Sequence, residues 1–213
     1  MKKIWLLVGL IWIAALVMSL ILYSQLPEKF DSHWNAQGEV NGQISKFWGA
    51  FLVPVLMLGI VLIFYIIPKI DPLKDNIKKF QGVYQGLVLV IIAFLFLIHL
   101  QTLLWNSGMK INPAETTPAI VGMIFLYLGF TLKKLKRNWF IGIRTPWTIS
   151  SDVVWEKTHE LGSKLFLITG VITLTGLLFP NYSFWLLLVP TFASVVMLFV
   201  YSYLEFRKEK SKF

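Results

Sequence analysis

The chain has 213 residues, of which 56% are hydrophobic, and its mean hydropathy is +0.68. Long and frequent apolar runs exclude an ordinary soluble domain and predict an integral membrane protein. The sequence contains no Cys, which excludes disulfides, thiolate metal sites and a Cys nucleophile.

Six apolar segments are long enough to cross the hydrocarbon core, because a span of ~30 Å requires ~20 residues. They are residues 4–23, 47–67, 83–105, 118–135, 161–179 and 184–204. We therefore expect an all-α integral membrane fold with six transmembrane helices in a single polytopic domain over residues 1–213. The first segment is longer than the apolar region of a secretory signal and has no small-x-small cleavage site after it, so we interpret it as a span.

The basic residues indicate the topology. Lys and Arg number 20 against 11 Asp and Glu. If alternate connections lie in the cytoplasm, 17 of the 20 basic residues lie there, and Lys29, Lys46 and Lys110 lie outside. The positive-inside rule then predicts that both termini are cytoplasmic in a multi-pass protein of the cell membrane. Since no nucleic-acid-binding fold is visible, we predict no direct contact with nucleic acid.

The connection after the first span, residues 26–46, carries turn signals at Asn35 to Gly38 and at Asn41 and Gly42. They predict an ordered extracytoplasmic loop with a small hairpin or two tight turns. One interpretation is a cap with Trp34 at the headgroup level. The other is an acidic and aromatic face for a peptide from outside the cell. The candidate residues of this loop are Glu28, Asp31, His33, Trp34 and Asn35.

The connection after the fourth span is rich in Trp and Arg side chains, which tend to bind other groups when they are exposed. A loop that only joins two helices does not require them. Gly142 and Pro146 should break any helix there. Ser150 and Ser151 can cap a helix start, so we predict a short interfacial helix over residues 152–161 that ends at Gly162. The candidate functional residues of this cytoplasmic loop are Asn138, Gly142, Arg144, Thr145, Pro146, Trp147, Trp155, Thr158 and His159.

Glu156 and His159 have the spacing of carboxylate–histidine metal sites. Such sites combine motifs from several helices, and no second copy is present in the sequence. We therefore favour an amphipathic interfacial helix and predict neither a metal nor a cofactor.

Arg144 offers a planar fork of donors, and Trp147 or Trp155 could stack on it. It could pin the loop to anionic headgroups, or it could hold an inter-helix network or a cytoplasmic partner. In the second case Lys should not replace it, since one ammonium cannot make two parallel hydrogen bonds.

Few polar side chains lie within the spans. Gln85 and His99 fall on nearly the same side of the third span, and a hydrogen bond to a neighbouring helix is the favoured role for His99. Gly82 with Gly86, and Gly122 with Gly129, predict closely packed helix faces.

The sequence supports no catalytic site. The topology places His33, His99 and His159 outside, within and inside the membrane, and no phosphate loop or nucleophile motif is present. We therefore expect no enzyme. The alternatives are a small-solute or ion transporter and a membrane sensor.

The connection after the fourth span resembles the signature of the SdpI-type family. The residues that carry the resemblance are Asn138, Gly142 to Trp147, Trp155 and Thr158-His159. Leu26-Pro27, His33 to Asn35, Gly38 and Lys46 resemble the pattern that family members carry after their first span. The resemblance implies six spans and protection of a bacterial cell from a secreted antimicrobial peptide, with membrane lipids around it. In the founding member it also implies recruitment of a soluble transcriptional repressor to the membrane.

Overall fold

The structure is a computed structural model, and it describes residues 2–211. Within this range the chain forms eight α-helices and one two-stranded sheet. In chain order they are α1 (Lys2–Leu22), β1 (Lys29–Trp34), β2 (Val40–Ser45), α2 (Lys46–Ile70), α3 (Lys74–Lys79), α4 (Gln81–Asn106), α5 (Pro113–Thr131), α6 (Pro146–Ser150), α7 (Asp152–Leu174) and α8 (Ser183–Lys210).

Six helices of the described part are long and apolar enough to cross a membrane, namely α1, α2, α4, α5, α7 and α8. The expected all-α membrane fold with six spans is confirmed. Three connections gather at one end of the bundle, which we call the hairpin end: the hairpin β1–β2, residues 107–112 and residues 175–182. The opposite end, which we call the loop end, carries α3 and residues 135–151.

The predicted end of a helix at Gly162 is wrong. Helix α7 runs unbroken from Asp152 to Leu174, so the predicted interfacial helix is the first part of the fifth span. Gly162 is needed for packing, because a methyl group there would collide with the side chains of Ile143 and Leu132. The short helix of this connection is α6, which precedes α7. The predicted cap is present, since Ser151 accepts a hydrogen bond from the Val154 N–H at 3.3 Å.

The spans pack as two units of three helices. Helices α1, α2 and α4 form one unit, helices α5, α7 and α8 form the other, and α4 contacts α5 between them. In the second unit, a methyl group on Gly129 would lie 2.6 Å from the Leu167 side chain. A methyl group on Gly122 would similarly lie 3.3 Å from the Gly170 carbonyl oxygen. Both glycines therefore permit the close approach of α5 and α7 that the sequence predicts.

The predicted pairing of Gly82 with Gly86 is only half right. A methyl group on Gly86 would collide with the Tyr127 hydroxyl on α5, so this glycine does serve close packing between the two units. The equivalent position at Gly82 meets open space within 4 Å. Gly82 therefore lies outside the contact between α4 and α5.

His99 ties together the three helices of the first unit. Its Nε2 lies 2.8 Å from the Ser19 Oγ on α1, and this hydroxyl lies 2.6 Å from the Ala50 carbonyl on α2. The same hydroxyl lies 3.1 Å from the Ala15 carbonyl, so it joins His99 on α4 to the backbones of α1 and α2. The predicted hydrogen bond from His99 to a neighbouring helix is confirmed. Gln85 is buried on the same helix.

Candidate functional site

The connection after α1 is an ordered hairpin, as predicted. Strands β1 and β2 pair antiparallel from Lys29 opposite Ser45 to Trp34 opposite Val40. At the turn, the Asn35 side chain accepts hydrogen bonds from the Gln37 and Glu39 N–H groups at 3.0 and 2.9 Å. The local sequence alone therefore builds this turn, because an Asn side chain readily bonds to the backbone two residues on.

The hairpin is fixed to two helices through its apolar side and its tip. Phe30 is 2% exposed, and its ring covers Gly49 in the first turns of α2, where any side chain would collide with it. Gly38 at the tip has φ +80°, and a methyl group there would lie 2.5 Å from the Asn112 side chain. Asn112 caps α5 by accepting from the Ala114 N–H at 3.0 Å. The hairpin thus bridges both three-helix units.

A third attachment is the end of α4. The Asn106 amide makes the two hydrogen bonds that a neighbouring strand would make, accepting from the Asp31 N–H at 2.8 Å and donating to its carbonyl at 2.9 Å. The Trp105 indole donates to the Asp31 carboxylate at 2.9 Å. Trp105 and Asn106 are residues that the sequence reasoning missed, since nothing local links them to a strand 75 positions away.

These contacts redefine the predicted acidic and aromatic face. The Asp31 carboxylate is used to hold α4, and the Glu28 carboxylate lies 3.5 Å from the Lys46 ammonium. His33 is exposed, with Nδ1 2.5 Å from the Asn41 side chain. Of the two predicted acidic groups, Asp31 is therefore engaged by α4, whereas the Glu28 side chain remains 89% exposed beside Lys46.

A cavity of about 370 Å³ lies beneath the hairpin, between α4, α5 and α8. Its walls are mostly apolar, and its lining includes Trp34, Asn35, Phe94, Gln101, Thr117 and Phe184. Trp34 packs edge-to-face on Trp105, with ring centroids 5.5 Å apart. Its indole N–H is buried without a hydrogen-bond partner in the described part of the chain, which typically costs ~1 to 3 kcal/mol. An apolar cavity with a few polar groups is the usual form of a ligand site.

At the loop end, Asn138 folds the connection between α5 and α7. Its side chain is fully buried and accepts from the Phe140 and Ile141 N–H groups at 2.9 and 2.7 Å. Its amide donates to the Ile141 carbonyl at 2.9 Å. All of these partners lie within three residues, so Asn138 is a turn-forming residue.

Gly142 and His159 join this loop to α7. Gly142 has φ +113°, and the next N–H, that of Ile143, donates to Nε2 of His159 at 3.0 Å. The other ring nitrogen donates to the Trp155 carbonyl at 2.8 Å, so His159 is the neutral Nδ1–H tautomer. Both nitrogens are thus occupied by backbone groups. Among the residues that the structure describes, no group of three His, Asp or Glu side chains could hold a metal ion.

Trp155 stacks on His159, with ring centroids 4.0 Å apart, and it is 1% exposed. Its indole donates to the Leu135 carbonyl at 3.0 Å. Next to it, the Thr158 hydroxyl is buried without a partner within residues 2–211. The Trp155 ring therefore fills the space between α7 and the loop.

Thr145, Pro146 and Trp147 attach the short helix α6 to α8. Thr145 and Thr148 form a reciprocal capping box with Pro146 in the first turn, and the Thr145 hydroxyl lies 3.1 Å from the Ser202 hydroxyl. Trp147 packs against Phe199 and Tyr203, at 5.0 and 5.1 Å between ring centroids.

Arg144 makes one contact of the predicted kind. Its side chain donates to the Trp139 carbonyl at 2.7 Å, within the same loop. Trp147 and Trp155, the expected stacking partners, pack on other rings. The bidentate contact belongs instead to Arg137, whose guanidinium reaches the Asp152 carboxylate at 2.7 Å and the Ile149 carbonyl at 2.8 Å. Sequence reasoning missed Arg137, although an Asp at a helix start is a frequent Arg partner.

Asp71 is a second missed residue at the loop end. It is 2% exposed, and it accepts from the Leu73 N–H at 2.6 Å and from the Trp139 N–H at 3.0 Å. An Asp directly before Pro72 at the end of a helix is the signal that could have revealed this turn. Every polar contact described for the loop end is internal, so the geometry supports a structural clamp between α3, α7 and α8.

Comparison with known proteins agrees with this division of the chain. Residues 134–203 match the SdpI/YfhL protein family, and residues 10–58 match a domain of unknown function, DUF1648. The expected resemblance to the SdpI-type family is confirmed. The family match starts where the loop end begins and runs through most of α8, whereas the other match covers the later part of α1, the hairpin and the first half of α2.

The chain is also similar to a curated protein over most of its length. It is 27% identical over 191 residues to the Immunity protein SdpI of Bacillus subtilis (strain 168), which is 89% of each chain. No solved structure matches the chain. The six spans and this similarity identify a multi-pass protein of the cell membrane.

Proposed function

We propose that this chain is an immunity protein that protects a bacterial cell from a secreted antimicrobial peptide. The observation that carries the proposal is the similarity to the Immunity protein SdpI, because it covers 89% of both chains and includes both ends of the bundle. The hairpin supports it, since it is an ordered surface pinned to α2, α4 and α5 and lies above a cavity. Recruitment of a soluble transcriptional repressor stays a prediction that rests on the family resemblance.

The proposed function requires the hairpin end to face the outside of the cell. The charge pattern favours this orientation, because only Lys29, Lys46 and Lys110 of the 20 basic residues belong to the hairpin end. Two of them are already engaged there, since Lys46 pairs with Glu28 and Lys110 lies 4.5 Å from the centroid of the Trp105 ring.

Single Cys residues will test the orientation, because the natural chain has none. We expect Gln37→Cys and Met109→Cys, both exposed at the hairpin end, to react with a membrane-impermeant maleimide on intact cells. Lys74→Cys and Ser211→Cys should react only after the membrane is opened. The reverse pattern would invert the topology and remove the outer surface that the proposed function needs.

Expression in a sensitive Gram-positive strain should raise survival against a secreted sporulation-delay-type peptide. The double variant His33→Ala with Trp34→Ala should weaken this protection, because it removes the two aromatic side chains with which the hairpin lines the cavity. The measurement is the peptide concentration that halves survival, at equal protein abundance in the membrane.

The matched control is Gln37→Ala with Trp48→Ala, which also removes a polar side chain and a Trp, but from the hairpin tip and the exposed face of α2. It should protect like the natural chain. If the natural chain gives no more survival than an empty vector with several such peptides, immunity is refuted, and solute flux in proteoliposomes becomes the next measurement.

A further inference from the structure

We propose that the cavity under the hairpin binds an uncharged, apolar peptide segment. One or two bulky side chains of this peptide insert between α4, α5 and α8. The inference rests on the proposed function, which it deepens by naming the site and the feature recognised. Four elements build this site: β1, α4 of the first three-helix unit, and α5 and α8 of the second.

The size of the cavity limits its occupant. Sites that enclose a whole small molecule range from about 300 to 1,000 Å³, and this cavity of about 370 Å³ is at the lower end of the range. It is also open to the surface of the protein rather than enclosed. Both properties suit side chains that enter from a longer chain lying across the opening.

The charge of the lining indicates a neutral ligand. Among the described residues that line the cavity, His33 is the only one with a titratable side chain, and no Lys, Arg, Asp or Glu is present. A lipid phosphate or a charged side chain would lose its hydration there without an opposite charge in return. Two of the three Lys residues of the hairpin end are engaged elsewhere, Lys46 with Glu28 and Lys110 with Trp105.

The polar groups of the lining favour a peptide over an acyl chain. Thr117 and Gln101 place a hydroxyl and an amide group along otherwise apolar walls. A peptide backbone offers carbonyl and amide groups for such side chains, whereas a hydrocarbon tail offers none.

The roof of the cavity is rigid before any ligand arrives. Trp34 is backed by Trp105, and Trp105 is held by the Asp31 carboxylate, which belongs to the same strand. Because that bond fixes the Trp105 ring, Trp34 packs against a fixed neighbour, and the site loses little side-chain freedom on binding. Such preorganisation reduces the entropic cost of association.

Thiol protection tests the site directly. Thr117→Cys lines the cavity, and Met123→Cys on the same helix is 52% exposed on its outer face. The full-length variants in phosphatidylglycerol and phosphatidylethanolamine vesicles are reacted with a small thiosulfonate reagent. The probes are a capped uncharged peptide of Leu, Phe and Gly, the same peptide with Lys in place of Leu, and monoolein as a source of acyl chain.

At ten times its dissociation constant, the uncharged peptide should slow modification of Thr117→Cys about tenfold, because the free fraction of the site falls to about one tenth. It should leave Met123→Cys unchanged, and the Lys peptide should protect neither. Protection by monoolein with none by the peptide would make this a lipid site and overturn the proposal. Protection by neither, or equal protection of both Cys positions, would overturn it as well.

A second experiment fills the cavity with a larger side chain and measures protection in living cells. Thr117→Trp places an indole where the peptide side chain would lie, so it should abolish protection against the toxin, while Met123→Trp should retain it at equal abundance. Full protection by Thr117→Trp would overturn the proposal and leave the immunity function standing. Peptide protection of Thr117→Cys in a chain that confers no immunity would instead uphold the site and refute the proposed function.

Discussion

Replacing Trp155 with Ala should destabilise the protein by about 3 to 5 kcal/mol, the range typical of a buried aromatic residue truncated in a packed core. Trp155 is 1% exposed, it stacks on His159, and its indole N–H is bonded to the Leu135 carbonyl. The substitution leaves a cavity between α7 and the loop, and it also leaves that carbonyl without its donor. The measurement is the unfolding temperature of the purified protein in detergent. Unfolding is monitored as the loss of the native elution peak in size-exclusion chromatography after heating.

Trp139→Ala is the matched control, because Trp139 lies in the same loop with its side chain 48% exposed. The contacts described for it use the backbone, whose N–H bonds Asp71 and whose carbonyl accepts from Arg144. Ala preserves both bonds, so we expect a small change in stability. Equal unfolding temperatures for the two variants would contradict the view that Trp155 holds the loop end together.

The number of spans and the hairpin could be predicted because their signals are local. A run of apolar residues identifies a span regardless of its neighbours. In the hairpin, Asn35 and Gly38 supply the side-chain bonds and the positive φ that the turn requires. Such information is contained in a few consecutive residues.

The sites depended on contacts that no local pattern encodes. Asp31 was a plausible ligand group from the sequence, yet its backbone and carboxylate bond to the last turn of α4, about 75 positions away. The position of Arg144 among Trp residues predicts a bidentate contact there, whereas this contact is made by Arg137 at the end of an ordinary basic run. Only the packing of α5 against α7 brings Arg137 to Asp152.

Glycine was the most ambiguous residue to interpret. The same residue type ends helices and allows close packing, and Gly162 was assigned to the first role although the loop packs on it. Gly82 was assigned to the second role although it faces open space. The difference depends on which element approaches the glycine, and this is a property of the tertiary structure.

Gly142 has both a positive φ and close neighbours, and its substitution by Ala is the second large effect that we expect. Its φ of +113° is a region that side chains rarely adopt, and a methyl group there would lie 2.5 Å from Nε2 of His159 and 3.2 Å from the Trp155 ring. Backbone strain of this kind costs about 1 to 3 kcal/mol. The collision adds to it, because His159 must leave the Ile143 N–H to which it is bonded.

We therefore expect Gly142→Ala to lower the unfolding temperature clearly, and to expose the loop end to proteolysis while the hairpin end stays protected. Gly59→Ala is the matched control, since Gly59 lies within α2 and a methyl group there meets no heavy atom within 4 Å. Ala is the better helix former, so this variant should be as stable as the natural chain or slightly more stable. If both variants unfold at the same temperature, Gly142 is not required for the loop conformation. The bond between His159 and Ile143 would then have to form equally well with a side chain at position 142.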